Sequence, residues 1–292
     1  MNETAVFEAQ RPRLTRLAYR MLGSVAAAED VAQDAWLRWR RAGQGDSVAD
    51  PAAWLVRTTT RLCLDRLRAD KAARAAYRGP WLPEPLVEDL GQDPLERAEE
   101  VSVAFLLALQ RLSPLERAVF LLHEVFDADY AAIAAALGRN EATCRQLAVR
   151  ARNHVRDARP RFEIAQDQLL RLAAAFIDAS RRGDIAALTR LLAEDAVLIS
   201  DGGGKRPAAL RPMIGREDVL ALLEGLRSRG AGLEASGIRL ARINGFPGAI
   251  FAWDGGLQTV TFEPDSAGRI AAIYIVRNPE KLARCPWPTI DP

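Results

Sequence analysis

From Phe7 to Leu22 apolar residues return every three or four positions, through Leu14, Leu17, Ala18 and Met21/Leu22, and the run stops at Gly23-Ser24. That spacing predicts an amphipathic helix. Ala26 to Arg41 repeats it through Val31, Ala35 and Leu37/Trp39, and a polar loop follows. Asp50-Pro51 reads as a helix start, with Asp as cap and Pro in the first turn, and the helix is expected to reach about Ala76. Asp93-Pro-Leu-Glu96 and Ser113-Pro-Leu-Glu116 are both capping boxes with Pro at the first helical position, starting helices of about 18 and 12 residues. Between these runs, Gly79-Pro-Trp-Leu-Pro-Glu-Pro-Leu86 cannot be helical, because its prolines remove donors and hold the backbone extended. It predicts a stiff linker.

Tyr130 to Arg161 predicts a helix, a tight turn and a second helix rich in arginine. Ala134 is small where two helices would cross. Gly138 can take the left-handed turn that ends the first helix, and Asn140 can cap the second. Leu137, Cys144, Leu147 and Ala148 form an inward stripe. Arg139, Arg145, Gln146, Arg150, Arg152, His154 and Arg156 are left mostly outside. A polar, cationic helix in this setting suits a DNA major groove. The plainer alternative is an amphipathic hairpin with a solvated basic face.

Near Gln166 the pattern changes. Leu169–Arg182, Ile185–Leu192 and Arg216–Arg227 predict helices, and Ala196–Ser200, Ile238–Ile243, Ala249–Trp253, Leu257–Phe262 and Ile270–Val276 predict strands. Asp254-Gly-Gly is a hairpin signal. Together they describe an α+β layer, a curved antiparallel sheet wrapped on helices, with room for a pocket on its concave side.

Net charge is +2 over 292 residues, so the balance decides little and the distribution decides more. Arg57 to Arg78 is basic, Glu84 to Glu100 is acidic, and Arg139 to Arg161 is basic again. This suggests two DNA contacts joined by a segment that avoids DNA. Cys63, Cys144 and Cys285 lack metal spacing, and Cys63 and Cys144 fall on inward helix positions. With no signal peptide or long apolar run, the expectation is a cytoplasmic protein without structural disulfides, metal, cofactor or membrane contact.

The motifs resemble a known family. Ala28-Glu-Asp-Val-Ala-Gln-Asp-Ala-Trp-Leu-Arg-Trp39, Ala53-Trp-Leu-Val-Arg57 and Leu62-Cys-Leu-Asp-Arg-Leu-Arg68 are similar to region 2 of bacterial RNA polymerase sigma factors of the extracytoplasmic-function type. Leu112-Ser-Pro-Leu-Glu-Arg-Ala-Val-Phe-Leu121 and the helix-turn-helix are similar to region 4. The tail resembles SnoaL-like domains, cone-shaped α+β folds. Trp81-Leu-Pro-Glu-Pro85, Asp201-Gly-Gly-Gly-Lys205 and Asn278-Pro-Glu-Lys-Leu282 resemble motifs of the sigma-factor subgroup that carries this extension. The resemblance implies all-α domains at 1–78 (region 2) and 100–161 (region 4), a linker at 79–99, and a SnoaL-like domain at 166–286. One departure is Arg61, where many relatives have a smaller polar residue.

By that resemblance, the partners are RNA polymerase core and promoter DNA. The helix Ala26–Arg41 would bind the polymerase through Glu29, Asp30, Gln33 and Asp34. At the −10 element, Arg57, Arg61, Arg66 and Arg68 would contact phosphates, and the loop holding Asp46 and Ser47 would cup a flipped base. Trp54 reads as core. At the −35 element, Thr143, Arg145 and Gln146 would reach base edges, with Arg150 and Arg152 as phosphate clamps.

In the tail, Asp178, Asp195, Asp201, Asp254 and Tyr274 are available acids and bases, but no catalytic constellation is visible. The glycine run at Asp201–Lys205 lacks phosphate-loop spacing; beside a strand such a run marks a bend or a close approach. Trp81 and Leu82 would be costly to leave in water. The expectation is that Trp81, Leu82 and Pro83 dock near Asp201, Gly203 and Lys205, with Asn278, Pro279 and Lys281 close by, as a built-in regulator. The alternative is a linker that only lies along the polymerase. The overall reading is a monomeric, non-catalytic initiation factor whose cone has room for a small ligand. Two others stay open: a ligand-responsive helix-turn-helix regulator, and a cyclase- or isomerase-type enzyme in the tail.

Overall fold

The computed structural model describes residues 3–42, 48–88, 101–156, 165–228, 237–253 and 255–286. Several of its helices begin at side chains that satisfy orphan N–H groups. Asp50 accepts from the Ala53 N–H at 3.0 Å, and Ser113 and Glu116 form a reciprocal capping box. The helices are α1 (Glu3–Leu22), α2 (Val25–Ala42), α3 (Pro51–Ala69), α4 (Lys71–Ala75), α5 (Val103–Gln110), α6 (Pro114–Glu124), α7 (Tyr130–Leu137) and α8 (Glu141–Val155). The single helix expected from Asp50 to Ala76 is two: α3 closes at Asp70, whose N–H bonds to the Arg66 carbonyl at 2.9 Å, and α4 follows. The helix start expected at Asp93 lies outside the described residues.

Contacts divide the chain into two compact units, Met1–Ala76 with Ala104–Arg159, and Tyr77–Val103 with Pro160–Pro292. The Pro-rich linker therefore groups with the C-terminal part.

In the helical unit α1 packs on α2 and α3, and α6 on α8. Leu14, Leu17, Met21 and Leu55 are fully buried there, each contributing about 25 cal/mol per Å² of apolar surface removed from water. Trp54 is half-buried against Trp39, with ring centroids 5.5 Å apart. The two helical halves also touch, α1 with α6 and α3 with α7. One tie is polar: buried Arg117 donates to the Leu109 carbonyl at 2.8 Å and the Met21 carbonyl at 2.5 Å. Desolvation, aided by nearby Arg74, lowers its pKa to about 10, and its carbonyl partners are what make burial tolerable. The apolar stripe of α2 ends on Trp39, which is 4% exposed. Leu37, also expected inward, is 42% exposed.

The second unit contains α9 (Gln166–Arg182), α10 (Ile185–Leu191), α11 (Arg216–Ser228), α12 (Pro279–Leu282) and one sheet. Its strands are β1 (Val87–Glu88), β2 (Leu192–Asp201), β3 (Met213–Ile214), β4 (Arg239–Ile243), β5 (Phe246–Trp253), β6 (Gly256–Pro264) and β7 (Ile270–Val276), in the order β1-β4-β5-β6-β7-β2-β3. The sheet is open and mixed, which corrects the antiparallel expectation, because β2 pairs with β7 in parallel. No hairpin joins those two strands, so nothing local sets their relative direction. Register shifts in β2–β7 and β6–β7 are the kind of irregularity that bends a sheet. α9 lays Ala173, Phe176 and Ile177 on the sheet, with Phe176 and Phe262 rings 5.0 Å apart.

Candidate functional site

Gly138 ends α7 at φ 63°, and Asn140 accepts from the Thr143 N–H at 2.8 Å to start α8. Cys144, Ala148, Ala151 and Val155 are buried, with Leu137 and Leu147 half-buried. Burial raises the Cys144 thiol pKa, so this residue packs rather than reacts. Arg145, Gln146, Arg150 and Arg152 are exposed, and Thr143 is half-buried at the first turn. Arg145 pairs with Glu141 at 2.5 Å and lies over the Tyr130 ring at 5.3 Å. Arg152 donates to Glu124 and to the Tyr130 hydroxyl, both at 2.8 Å. The Glu124 bond holds its pKa above the usual arginine range and tethers it to α6. Among these polar side chains stands Val149, 51% exposed. The sequence reading passed over it, although an apolar residue on a polar helix face was the available signal.

On α2, Glu29, Asp30, Gln33 and Asp34 are exposed on the side where Leu37 emerges. On α3, Arg57 is half-buried, Arg66 lies 3.4 Å from Asp70 and Arg68 2.7 Å from Asp65. Arg61 Nε donates to the Ala136 carbonyl of α7 at 3.0 Å, so it ties α3 to the helix-turn-helix in this arrangement. Asp46 and Ser47 lie outside the described residues.

In the other unit, the linker meets the end of β2. Asp201 has no solvent exposure. Its carboxylate accepts from the Tyr77 hydroxyl at 2.6 Å, the Leu82 N–H at 2.8 Å and the Gly203 N–H at 3.0 Å. Lys281 Nζ pairs with the same carboxylate at 2.5 Å and donates to the Leu82 carbonyl. The ammonium also sits 3.9 Å from the Trp81 ring centroid and 4.9 Å from that of Tyr77. Asn278 donates to the Tyr77 hydroxyl at 2.9 Å, and Lys205 bonds Glu280. Leu82 and Pro83 are buried and Trp81 half-buried. The glycine run is explained by crowding. A Cβ on Gly202 would meet the Arg206 carbonyl oxygen at 2.1 Å, and one on Gly203 (φ +60°) would meet Asn278 at 2.3 Å. Pro279 occupies the first turn of α12 behind its cap, Asn278. Beyond Pro85 the linker joins the sheet as β1, where Val87 pairs with Ile243. Leu86 and Asn244 exchange two further hydrogen bonds, at 2.8 and 3.3 Å.

Residues 6–73 match the family model described as Sigma-70 region 2, and residues 102–155 match Sigma-70, region 4. The ECF RNA polymerase sigma factor SigJ of Mycobacterium tuberculosis is 37% identical over 97% of this chain and 94% of its own length. The chain belongs to the ECF RNA polymerase sigma factors. A crystal structure of M. tuberculosis SigJ matches at TM-score 0.76 and 34% identity, covering 96% of this chain and 98% of that one. The probable ECF sigma factor SigI of the same species is 37% identical over 65% of this chain and 66% of its own.

This sigma factor is therefore a transcription initiation factor that binds RNA polymerase core and promoter DNA. Region 2 is α1–α4, region 4 is α5–α8, and the C-terminal unit is an α+β domain with an open mixed sheet. The sheet and helices of that domain enclose a cavity of about 340 Å³. None of Asp178, Asp195, Asp201 and Tyr274 lines it. Asp178 and Asp195 are exposed, Asp201 faces the linker, and Tyr274 points away from the cavity between the lining residues Ile273 and Ile275. Asp254 lies outside the described residues. Among the described residues no cluster of His, Cys, Asp or Glu could hold a metal, and no helix is long and apolar enough to cross a membrane. Tyr77 was missed by the sequence reading, which placed it at the end of a basic helix; an aromatic there, two residues before Gly79, was the only hint.

Proposed function

We propose that this initiation factor is regulated in cis by its SnoaL-like domain, which grips the linker between regions 2 and 4. The carrying observation is Asp201, wholly buried yet bonded to Tyr77 and Leu82 of the linker and paired with Lys281. Gripping the linker limits the separations that regions 2 and 4 can adopt. In this reading Thr143, Arg145 and Gln146 read the −35 element, with Arg150 and Arg152 on phosphates. Arg57, Arg61, Arg66 and Arg68 hold the −10 strand, and Asp46 and Ser47 cup its flipped base. Arg61 and Arg152 must first leave Ala136 and Glu124, so promoter binding and rearrangement of the helical unit are coupled. Glu29, Asp30, Gln33 and Asp34 meet the polymerase, with Leu37 as an apolar anchor in their midst. The factor works as a cytoplasmic monomer and catalyses nothing itself.

The test is run-off transcription with core polymerase, comparing the full chain with one cut after residue 164, on promoters captured by the protein. Initiation by the full chain with altered output from the shortened one is the expected result. Equal output from both would sink regulation by the tail.

A further inference from the structure

The cavity of the C-terminal domain measures about 340 Å³, and a cavity of ~150 Å³ already admits a benzene ring. There is room for a ligand of about a dozen non-hydrogen atoms. The wall is mainly apolar: α9 supplies Phe176 and Ile177, and the sheet supplies Leu198, Phe251, Val260 and Phe262. Its charged residues are engaged or face water. Arg277 stands 4.2 Å from the Trp253 ring centroid and donates to the Pro207 carbonyl, while Glu224 and Arg227 are exposed. The interior therefore offers apolar surface rather than an available ion partner. One polar group stands apart. Ser180 lies one helical turn beyond Phe176 and also lines the cavity, and its buried hydroxyl has no hydrogen-bond partner among the described residues. Other helical hydroxyls bond back to their own helix: Thr60 donates to the Val56 carbonyl at 2.8 Å and Thr189 to the Ile185 carbonyl at 2.7 Å. Ser180 makes no such bond to Phe176. Thr59 is also unpartnered, but it is fully buried in the helical unit, whereas Ser180 opens on a cavity. A buried hydroxyl without a partner costs free energy, and at a cavity wall it points to a partner that the fold itself does not supply.

We propose that this cavity binds a neutral, mainly apolar molecule with one carbonyl oxygen, which accepts from the Ser180 hydroxyl while the apolar body lies among the phenylalanines. The site also touches the linker grip. Ser200 lines the cavity, while Asp201, the next residue, binds the linker. Ser200 accepts from the Ala209 N–H at 2.8 Å, and Pro207, Ala208 and Ala209 border both the cavity and the linker residues Arg78, Gly79 and Pro80. Occupancy is thereby linked to the grip, a link that rests on the regulatory reading above.

Titration calorimetry on the full chain with 1-tetralone and tetralin tests the site, since the two share a bicyclic frame and differ by one carbonyl. Both bind one per chain. Ser180→Ala weakens 1-tetralone roughly 3- to 10-fold, the loss of one hydrogen bond, and leaves tetralin within about 2-fold. Leu223→Trp, which narrows the cavity, weakens both by about 10-fold or more. Sodium 1-naphthoate, of comparable size but charged, binds at least about 10-fold more weakly than the ketone. Thermal melts confirm that each variant is folded. Absence of 1-tetralone binding, an equal change for ketone and hydrocarbon in Ser180→Ala, or binding indifferent to Leu223→Trp overturns the site. Naphthoate binding as tightly as the ketone overturns the neutral ligand class. Run-off transcription with 1-tetralone then separates the site from its link to the grip. An output that responds in the wild type and not in Leu223→Trp supports the link, and 1-tetralone binding with unchanged output overturns the link while the site stands.

Discussion

On α8 Arg145 pairs with Glu141 while 57% of the arginine side chain stays exposed; in the linker grip Lys281 pairs with Asp201 with 11% and 0% exposed. Both pairs are 2.5 Å long. The first is worth roughly 0–1 kcal/mol, since water screens it and two long side chains must be ordered. It is easily given up for a base or a phosphate. The second has lost its water, so either partner alone would be left as a buried charge. Distance therefore says little about the role of an ion pair, and solvent says much. In the proposed reading, the exposed Arg145 pair stays available for DNA, while the buried Lys281–Asp201 pair is committed to holding the linker.

The sharpest way to break that contrast is Lys281→Met, which strands the Asp201 carboxylate. It should cost about 3–5 kcal/mol of stability in the C-terminal unit, read by urea denaturation. Adding Asp201→Asn should cost less than the sum, because the two residues share one interaction. A loss below about 1 kcal/mol would place the pair in the solvent-screened class.

Two glycines with nearly the same φ sharpen the comparison. Gly138 and Gly203 have φ +63° and +60°, but a Cβ on Gly138 meets nothing within 4 Å. Gly138→Ala should cost only the backbone term, about 1 kcal/mol. Gly203→Ala adds the clash with Asn278 and should cost about 1–3 kcal/mol more. Equal losses in thermal melts would mean that the grip yields easily.

For the exposed side of the contrast, Arg145→Ala should leave stability within about 0.5 kcal/mol and weaken binding at one promoter position by about 1–3 kcal/mol. Arg150→Ala should instead weaken all sequences alike and reduce the salt slope by about 1. A uniform loss for Arg145→Ala would reassign it to phosphate contact.

The smallest effect is at the capping box. Ser113→Ala should cost about 1 kcal/mol. The Ser113 hydrogen bond lowers the Glu116 pKa. This contribution is therefore present above the ordinary carboxylate range and is lost as pH falls through the lowered Glu116 range. The wild-type advantage over Ser113→Ala should shrink on acidification, and a constant difference in melting temperature would contradict it.

What the sequence made legible was local chemistry. Asp50, Ser113, Gly138 and Asn140 act on backbone groups within four residues, so their motifs place helix ends and the helix-turn-helix directly. What it hid depends on partners far along the chain. β2 beside β7 in parallel, β1 recruited from the linker, and Arg61 against Ala136 each need distant segments to meet. Trp39 and Leu37 differ by two positions on one helix, and packing among Phe7, Leu14 and Leu55, with Trp54 alongside, takes the first inside. Around the grip, the motifs announced Trp81, Asp201 and Asn278, while Tyr77 carries no motif and enters through its hydroxyl.

In the proposed regulation, gripping the linker controls initiation. Run-off transcription with core polymerase, comparing wild type with Trp81→Ala, tests it most directly, since that change removes the ring beside Lys281 and leaves both DNA-reading regions intact. Trp81→Ala should alter output while leaving affinity for promoter duplex unchanged. Output equal to wild type, from a chain shown to be folded, would contradict it.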